Sequence, residues 1–332
     1  MSKTPHIVIA GAGSIGFFIG GLLQQSGHKI SYLTRQRMIE KFETNRLHIT
    51  DYKSLNIKID AKELELYTEP NSLEHADIIL VTVKSSATRE MAKLIEKYAK
   101  PDAIIVSLQN GISNSEILKT HLSKRKVLAG MVPFNVVQMQ QARFHRGTSG
   151  NIMIENSEHK LSNTLTSDLL VIEETNEIGN IQSGKLLINL NNALNALSGL
   201  PLLEQLNNRS WRKIMADQMS EAHTIMKNSG MNPKPPSPVS AWLIPHILRL
   251  PTVLFKIIAK QMLSIDPTAR SSMWEDLQQG RKTEVMELQG EVIKLATHLN
   301  IDAPINSKVM LKIKEAEEHN QGSPQLRPED II

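Results

Sequence analysis

The sequence predicts an α/β fold: a doubly wound parallel sheet in the first half, then an all-α domain. Three observations carry this expectation. Short apolar, β-branched runs alternate with helix-length segments as far as residue 155. A glycine-rich turn follows the first of those runs. Beyond residue 180 the apolar residues change to a 3.6-residue period. The 332 residues suffice for two domains of ordinary size, expected here at 1–175 and 176–332.

Element by element, His6 to Ala10 is an apolar run and hence a buried strand. Gly11, Gly13 and Gly16 then form G-x-G-x-x-G where a helix should begin, with residues 17–25 as that helix and Gly27 as its stop. Gly11 makes the tight turn. Gly13 leaves room for a pyrophosphate, and Gly16 lets the helix pack close to the strand. The helix N-terminus offers amides and partial positive charge to phosphates. Strand, turn, helix and second strand (Lys29 to Leu33) together predict a Rossmann-type dinucleotide site at Gly11, Ala12, Gly13, Ser14, Ile15 and Gly16. An acidic residue closing the second strand would favour NAD. This chain has Thr34 and Arg35 there, with Arg37 close by. A guanidinium pairs well with a 2′-phosphate, so NADPH is the expected cofactor and Arg35 its reader.

The runs 76–84 and 102–111 read as strands buried on both faces. They end at Lys84 and Asn110, and ligands of open α/β sheets bind beyond the carboxyl ends of strands. Segments 126–138 and 150–155 complete the sheet.

In the second half, helices are expected at 181–198, 208–229, 270–299 and 304–318. Between them lies a proline-marked loop (Pro235, Pro236, Pro238) and an apolar stretch, 241–263. Pro245, Arg249, Pro251, Lys256 and Lys260 interrupt that stretch, so it is not a membrane span. A helix covering the active site or a subunit interface is the favoured reading over a membrane-surface helix. A homodimer is one assembly this allows. The tail 322–332 is expected to be extended or mobile.

The stretch 185–197, "KLLINLNNALNAL", holds four asparagines, which are poor helix formers. On a 3.6-residue period Lys185, Asn189 and Asn192 share one face, while Leu186, Leu190, Leu194 and Leu197 share another. A lysine and two carboxamides would then line something other than the core. In 271–296, Asp276, Gln279 and Glu284 fall on neighbouring turns of the expected helix. A carboxylate there could meet Lys185.

Composition sets bounds on function. With 40% hydrophobic, 4% aromatic and 22% charged residues, the chain reads as soluble and globular. It has no cysteine, which excludes disulfides, thiolate metal sites and cysteine nucleophiles. The eleven histidines show no ligand spacing, so no metal is expected. A net charge of +4 comes from bases spread along the chain without aromatic interleaving, which argues against nucleic acid. The opening "MSKTPHIVIAGAG" lacks a signal-peptide h-region, so the cytoplasm is the expected compartment.

Taken together, these residues resemble the ketopantoate reductases (2-dehydropantoate 2-reductases) along nearly the whole chain. The matching pieces are "GAGSIG" at 11–16, "YLTR" ending at Arg35, "VTVK" ending at Lys84, "QNG" at 109–111 and "KLLIN" at 185–189. "SSM" at 271–273, "GRKTE" ending at Glu284 and "APIN" at 303–306 complete the set. The resemblance implies NADPH-dependent reduction of a 2-oxo acid, foremost 2-dehydropantoate to pantoate in pantothenate and coenzyme A biosynthesis. It implies Lys185 as general acid, Asn189 orienting substrate, and Asn110 between substrate and nicotinamide ribose. It places Ser272 on the substrate carboxylate, Glu284 on the substrate hydroxyl and paired with Lys185, and Lys84 near cofactor and substrate.

Three features depart from the family pattern. Gly184 precedes Lys185 where a tryptophan is common. Asn192 stands at +7 from the lysine, with Ala193 at +8, which leaves open which asparagine of 189–195 faces the substrate. Residues 231–270 are longer and more apolar than in short family versions. Two alternatives follow: a reductase or hydroxyacid dehydrogenase acting on a different 2-oxo acid, and a non-catalytic NADPH sensor.

Overall fold

The computed structural model of the chain describes residues 4–158, 160–260, 263 and 266–331. It divides into two compact units, one ending at Ile178 and the other beginning at Gly179.

Among the described residues, twelve strands form the first unit's two sheets: β1 (His6–Ala10), β2 (Lys29–Leu33), β3 (Leu47–Asp51), β4 (Asn56–Ile59), β5 (Glu65–Tyr67), β6 (Ile78–Val81), β7 (Ile104–Ser107), β8 (Lys126–Met131), β9 (Val136–Gln138), β10 (Arg143–Arg146), β11 (Ile152–Glu155) and β12 (Ile172–Thr175). The larger sheet runs β12-β11-β8-β7-β6-β1-β2-β5. Its pairs are parallel except β8 with β11. From β1 the chain winds outward through β2 and β5 on one side and through β6, β7 and β8 on the other. The switch point therefore lies between β1 and β6, where such sheets bind ligands. Successive residues of β1 point to opposite faces. Ile7 and Ile9 join one core with Phe17 and Phe18 of the helix Ser14–Gln25. Val8 and Ala10 join another with Met91 and Ile95 of the helix Thr88–Tyr98. Burial on both faces explains why β1, β6 and β7 read as unbroken apolar runs.

A smaller sheet, β4-β3-β10-β9, packs Leu47, Ile49 and Phe144 into the first of those cores. Phe17 stacks on Tyr32 and Phe144 at centroid distances of 5.2 and 5.3 Å. Segment 126–138 is thus not one strand. It breaks around Pro133, with β8 in the large sheet and β9 in the small one.

The second unit is helical. The stretch expected at 181–198 is two abutting helices, Ile178–Asn189 and Asn191–Ser198. The single helix expected at 270–299 is also two, Ser272–Gln278 and Val285–His298. Gly280, with φ +60°, and the loop to Glu284 separate them, so Glu284 does not share a helix with Asp276. Helices Arg209–Asn228 and Pro304–His319 agree closely with expectation. The carboxylate of Glu221 accepts from the backbone N–H groups of Ile305 and Asn306, both at 2.9 Å, and so caps the second of these.

Within 241–260 the chain forms the short helices Ile244–Arg249 and Thr252–Ile258. Residues 261 and 262 of the expected apolar stretch lie outside the described residues. Arg212, fully buried, anchors this region. It donates to the carbonyls of Leu206, Leu248 and Leu250, and its guanidinium lies over the Phe255 ring at 4.2 Å. Val253, Leu254, Ile257 and Ile258 remain largely exposed. Among the described residues no helix is long and apolar enough to cross a membrane. The tail is docked rather than mobile. Ser323 Oγ donates to the carbonyl of Ala196, Leu326 N–H donates to that of Leu197 at 2.8 Å, and Ile331 is buried.

Candidate active site

The first unit brings the glycine loop to the switch point. Gly11 has φ +86°, and a Cβ there would fall 2.0 Å from Val83 Cγ1, so only glycine fits. A Cβ on Gly16 would lie 2.8 Å from Ile9, the close helix–strand packing expected of that position. A Cβ on Gly13 would meet nothing within 4 Å beyond its chain neighbours among the described residues. That open volume sits at the start of the helix Ser14–Gln25, which has no capping side chain and no acidic residue in its first turn. The loop fits a pyrophosphate in both space and electrostatics.

The end of β2 is stapled to this loop. Gly11 and Ala12 donate N–H groups to the carbonyl of Leu33, and Thr34 Oγ1 donates to the carbonyl of Ala12 at 2.7 Å. Arg35 follows, exposed, at the start of the helix Gln36–Glu43, which carries no acidic residue in its first turn. Its surroundings therefore suit a phosphate.

Lys84 is exposed just beyond β6, and Asn110 is half-buried beyond β7. A buried polar network that sequence reasoning missed ties their loops together. Gln109 Nε2 donates to the carbonyl of Val83 (3.1 Å) and to Thr88 Oγ1 (2.7 Å). Thr88 Oγ1 donates to Asn114 Oδ1 (2.8 Å), and Asn114 Nδ2 donates to Ser85 Oγ and to the carbonyl of Asn110. The available signal was a polar pair, Ser107 and Gln109, closing an otherwise apolar run.

In the second unit, Lys185, Asn189 and Asn192 are half-buried, while Leu186, Leu190, Leu194 and Leu197 are all buried. The four asparagines divide into two groups. Asn191 and Asn195 are buried and structural. Asn191 and Gln205 exchange side-chain hydrogen bonds, and Asn195 Nδ2 donates to Gln205 Oε1 and to the carbonyl of Leu200. Asn195 Oδ1 accepts from Ser271 N–H at 2.8 Å, and Ser271 Oγ donates to the carbonyl of Asn192 at 2.9 Å. Ser271 also caps the helix Ser272–Gln278. These bonds bring the exposed Ser272 and the amides of that helix start beside the helix bearing Asn192.

Burial pulls the Lys185 pKa down to about 8, and the carboxylate of Glu284 opposes the shift. Desolvation is the larger influence. The two residues lie within electrostatic reach, and the balance leaves a lysine with a pKa near neutral pH that can still carry its proton. Glu284 stands immediately before the helix Val285–His298. Its loop is fixed by Glu317, which accepts from Thr283 N–H and from Lys282 Nζ. Among the described residues no group of three or more histidine and carboxylate side chains converges as metal ligands.

Gly184 has a structural cause. A Cβ there would lie 2.1 Å from the carbonyl carbon of Lys234 and 2.3 Å from the nitrogen of Pro235. The proline-rich segment crosses the helix at this point, held by Lys234 N–H donating to the carbonyl of Asn180 and Asn232 N–H donating to Asn180 Oδ1. A larger residue before Lys185 would expel it.

The family description "Ketopantoate reductase PanE/ApbA" matches residues 7–159, and its C-terminal counterpart matches 177–317. The 2-dehydropantoate 2-reductase of Archaeoglobus fulgidus is 24% identical over 324 residues, covering 95% of this chain and 99% of its own. A PanE/ApbA family ketopantoate reductase from Ralstonia eutropha superposes with a TM-score of 0.81 at 23% identity, covering 95% of this chain and 99% of that one. A D-mandelate dehydrogenase, solved with NADH and anilino(oxo)acetate, superposes with a TM-score of 0.77 at 18% identity and the same coverage. With both family signatures spanning the two units, the chain belongs to the ketopantoate reductase family of oxidoreductases.

Proposed function

We propose that the chain catalyses NADPH-dependent reduction of a 2-oxo acid, foremost 2-dehydropantoate to pantoate, in cytoplasmic pantothenate and coenzyme A synthesis. The observation that carries this reading is Lys185, held near pKa 8 within reach of Glu284, and half-buried as Asn189 and Asn192 are. The bound nicotinamide would supply a hydride for the carbonyl carbon. Lys185 gives its proton to the carbonyl oxygen as negative charge develops there, and regains one from solvent. Glu284 favours the charged lysine and accepts from the substrate hydroxyl. Asn189 and Asn192 orient the substrate without adding charge. Ser272 and the helix amides behind it suit its carboxylate.

In the first unit, the residues at Gly11 to Gly16 would cradle the pyrophosphate and Arg35 would read the 2′-phosphate. Lys84 and Asn110 would hold the nicotinamide ribose end. The exposed Val253, Leu254, Ile257 and Ile258 support a homodimer through that face, tested by mass in solution before and after I257E.

The experiment is NADPH oxidation at about 340 nm, the reduced nicotinamide absorbance, with 2-dehydropantoate and a panel of 2-oxo acids, NADH run in parallel. A kcat/KM for 2-dehydropantoate above the rest supports the reading. The likeness to D-mandelate dehydrogenase favours a second reading, in which an aromatic 2-oxo acid is preferred. NADPH binding without turnover on any acid would favour the sensor.

A further inference from the structure

We propose that Gln289 is a positioning residue for the Lys185–Glu284 pair: its side-chain amide locks the helix that follows Glu284 onto the helix that carries Lys185. The proposal rests on the reading of Lys185 as proton donor.

Gln289 is fully buried, and its Nε2 donates to the carbonyl of Leu190 at 2.9 Å. Leu190 is also fully buried and stands where the helix Ile178–Asn189 gives way to Asn191–Ser198. Lys185 lies five residues before Leu190, and Glu284 lies five residues before Gln289. The bond therefore joins the two segments at the same number of residues along the chain from each charge, across 99 residues of chain.

The other residues that the helix Val285–His298 buries are apolar: Val285, Leu288, Val292 and Ala296. Apolar contacts are non-directional, and alone they would tolerate small slides between helices. A hydrogen bond weakens steeply with distance and angle, so it fixes the register. Among the described residues Gln289 Oε1 meets no donor, so the bond to Leu190 is what the amide contributes there. An amide buried for one directed bond costs desolvation that an apolar residue of the same size would avoid. That cost makes sense where geometry matters. Glu284 is the charge acting on Lys185, and Coulomb attraction depends on their separation.

The test is Q289M, which keeps length and volume and removes the bond, beside E284Q as the reference for full loss of attraction. Two readouts are needed: the pH profile of kcat and KM with the best 2-oxo acid, and the titration of Lys185 in ¹³C-lysine-labelled enzyme, its resonance assigned by absence in K185R. We expect Q289M to lower the Lys185 pKa by about half a unit, in the direction of E284Q and by less. The basic limb of kcat should move with it, and KM should change little. Unfolding that is easier by itself, with the titration and the basic limb unchanged, would overturn the proposal. If Q289M does not fold, Q289N, too short to reach Leu190, takes its place. Retained turnover in K185A would sink the proton-donor reading, whereas the labelled-lysine titration would still report whether Gln289 sets the Lys185–Glu284 separation.

Discussion

The missing side chain of Gly184 is where the backbone of Lys234 lies: a Cβ would stand 2.1 Å from the Lys234 carbonyl carbon. No rotamer relieves a clash between a Cβ and backbone, so helix or segment must move. G184A should destabilise the protein by about 1–3 kcal/mol and loosen the 232–235 crossing. Urea unfolding and proteolysis near Pro235 check this. Unchanged stability with an intact segment would show that the crossing is not tight.

Lys185 links activity and stability to pH with opposite signs. In the proposed role of general acid it would work protonated, so kcat should fall as pH rises through about 8. Stability runs the other way. The folded pKa is below the ordinary lysine value of 10.5, so between about 8 and 10.5 the unfolded chain holds more protons and stability rises with pH. K185M should abolish turnover. It should also be the more stable protein below pH 8, an advantage shrinking by up to about 3 kcal/mol toward pH 10.5. Parallel denaturation of both proteins across that window gives the answer, and a constant gap would refute the burial assignment.

If Arg35 reads the 2′-phosphate as proposed, its removal will tell the two nicotinamide cofactors apart. R35A should raise KM for NADPH about 10–100-fold, the loss of one charge-assisted contact, and leave KM for NADH within about twofold. An equal rise for both would move the 2′-phosphate reader elsewhere.

Two glycines of one loop should behave differently. Gly13 has open space around it, so G13A should fold within about 0.5 kcal/mol of the parent and bind NADPH about tenfold more weakly. Gly11 is strained for any L-residue and packed on Val83, so G11A should cost about 1–3 kcal/mol before any ligand is added. Thermal melts with and without NADPH distinguish them.

What could be read in the sequence was what repeats with a period. β1, β6 and β7 are unbroken apolar runs because both faces are covered, and the 3.6-residue period separated Lys185, Asn189 and Asn192 from the buried leucines. The small sheet was not legible. "LHITD", "NIKI" and "RFHR" carry histidine, lysine and arginine on their half-exposed faces, and β3 finds β10 across 95 residues. The break at Gly280 was hidden inside an otherwise helical pattern. Which asparagines turn inward depended on Gln205, a partner that no local pattern reveals.

The pairing of β3 with β10 bears on how the chain is made. Leu47–Asp51 emerges from the ribosome long before Arg143–Arg146, its parallel neighbour. Until then β3 can pair with β4 and pack on the helix Ser14–Gln25, but Ile49 and Leu47 lack Phe144, their fellow in the same core. The nascent first unit must therefore wait on late contacts of high sequence separation, a slow and aggregation-exposed interval. Truncations ending before residue 143 should stay associated with chaperones, and release should begin only once the β10 segment has cleared the exit tunnel.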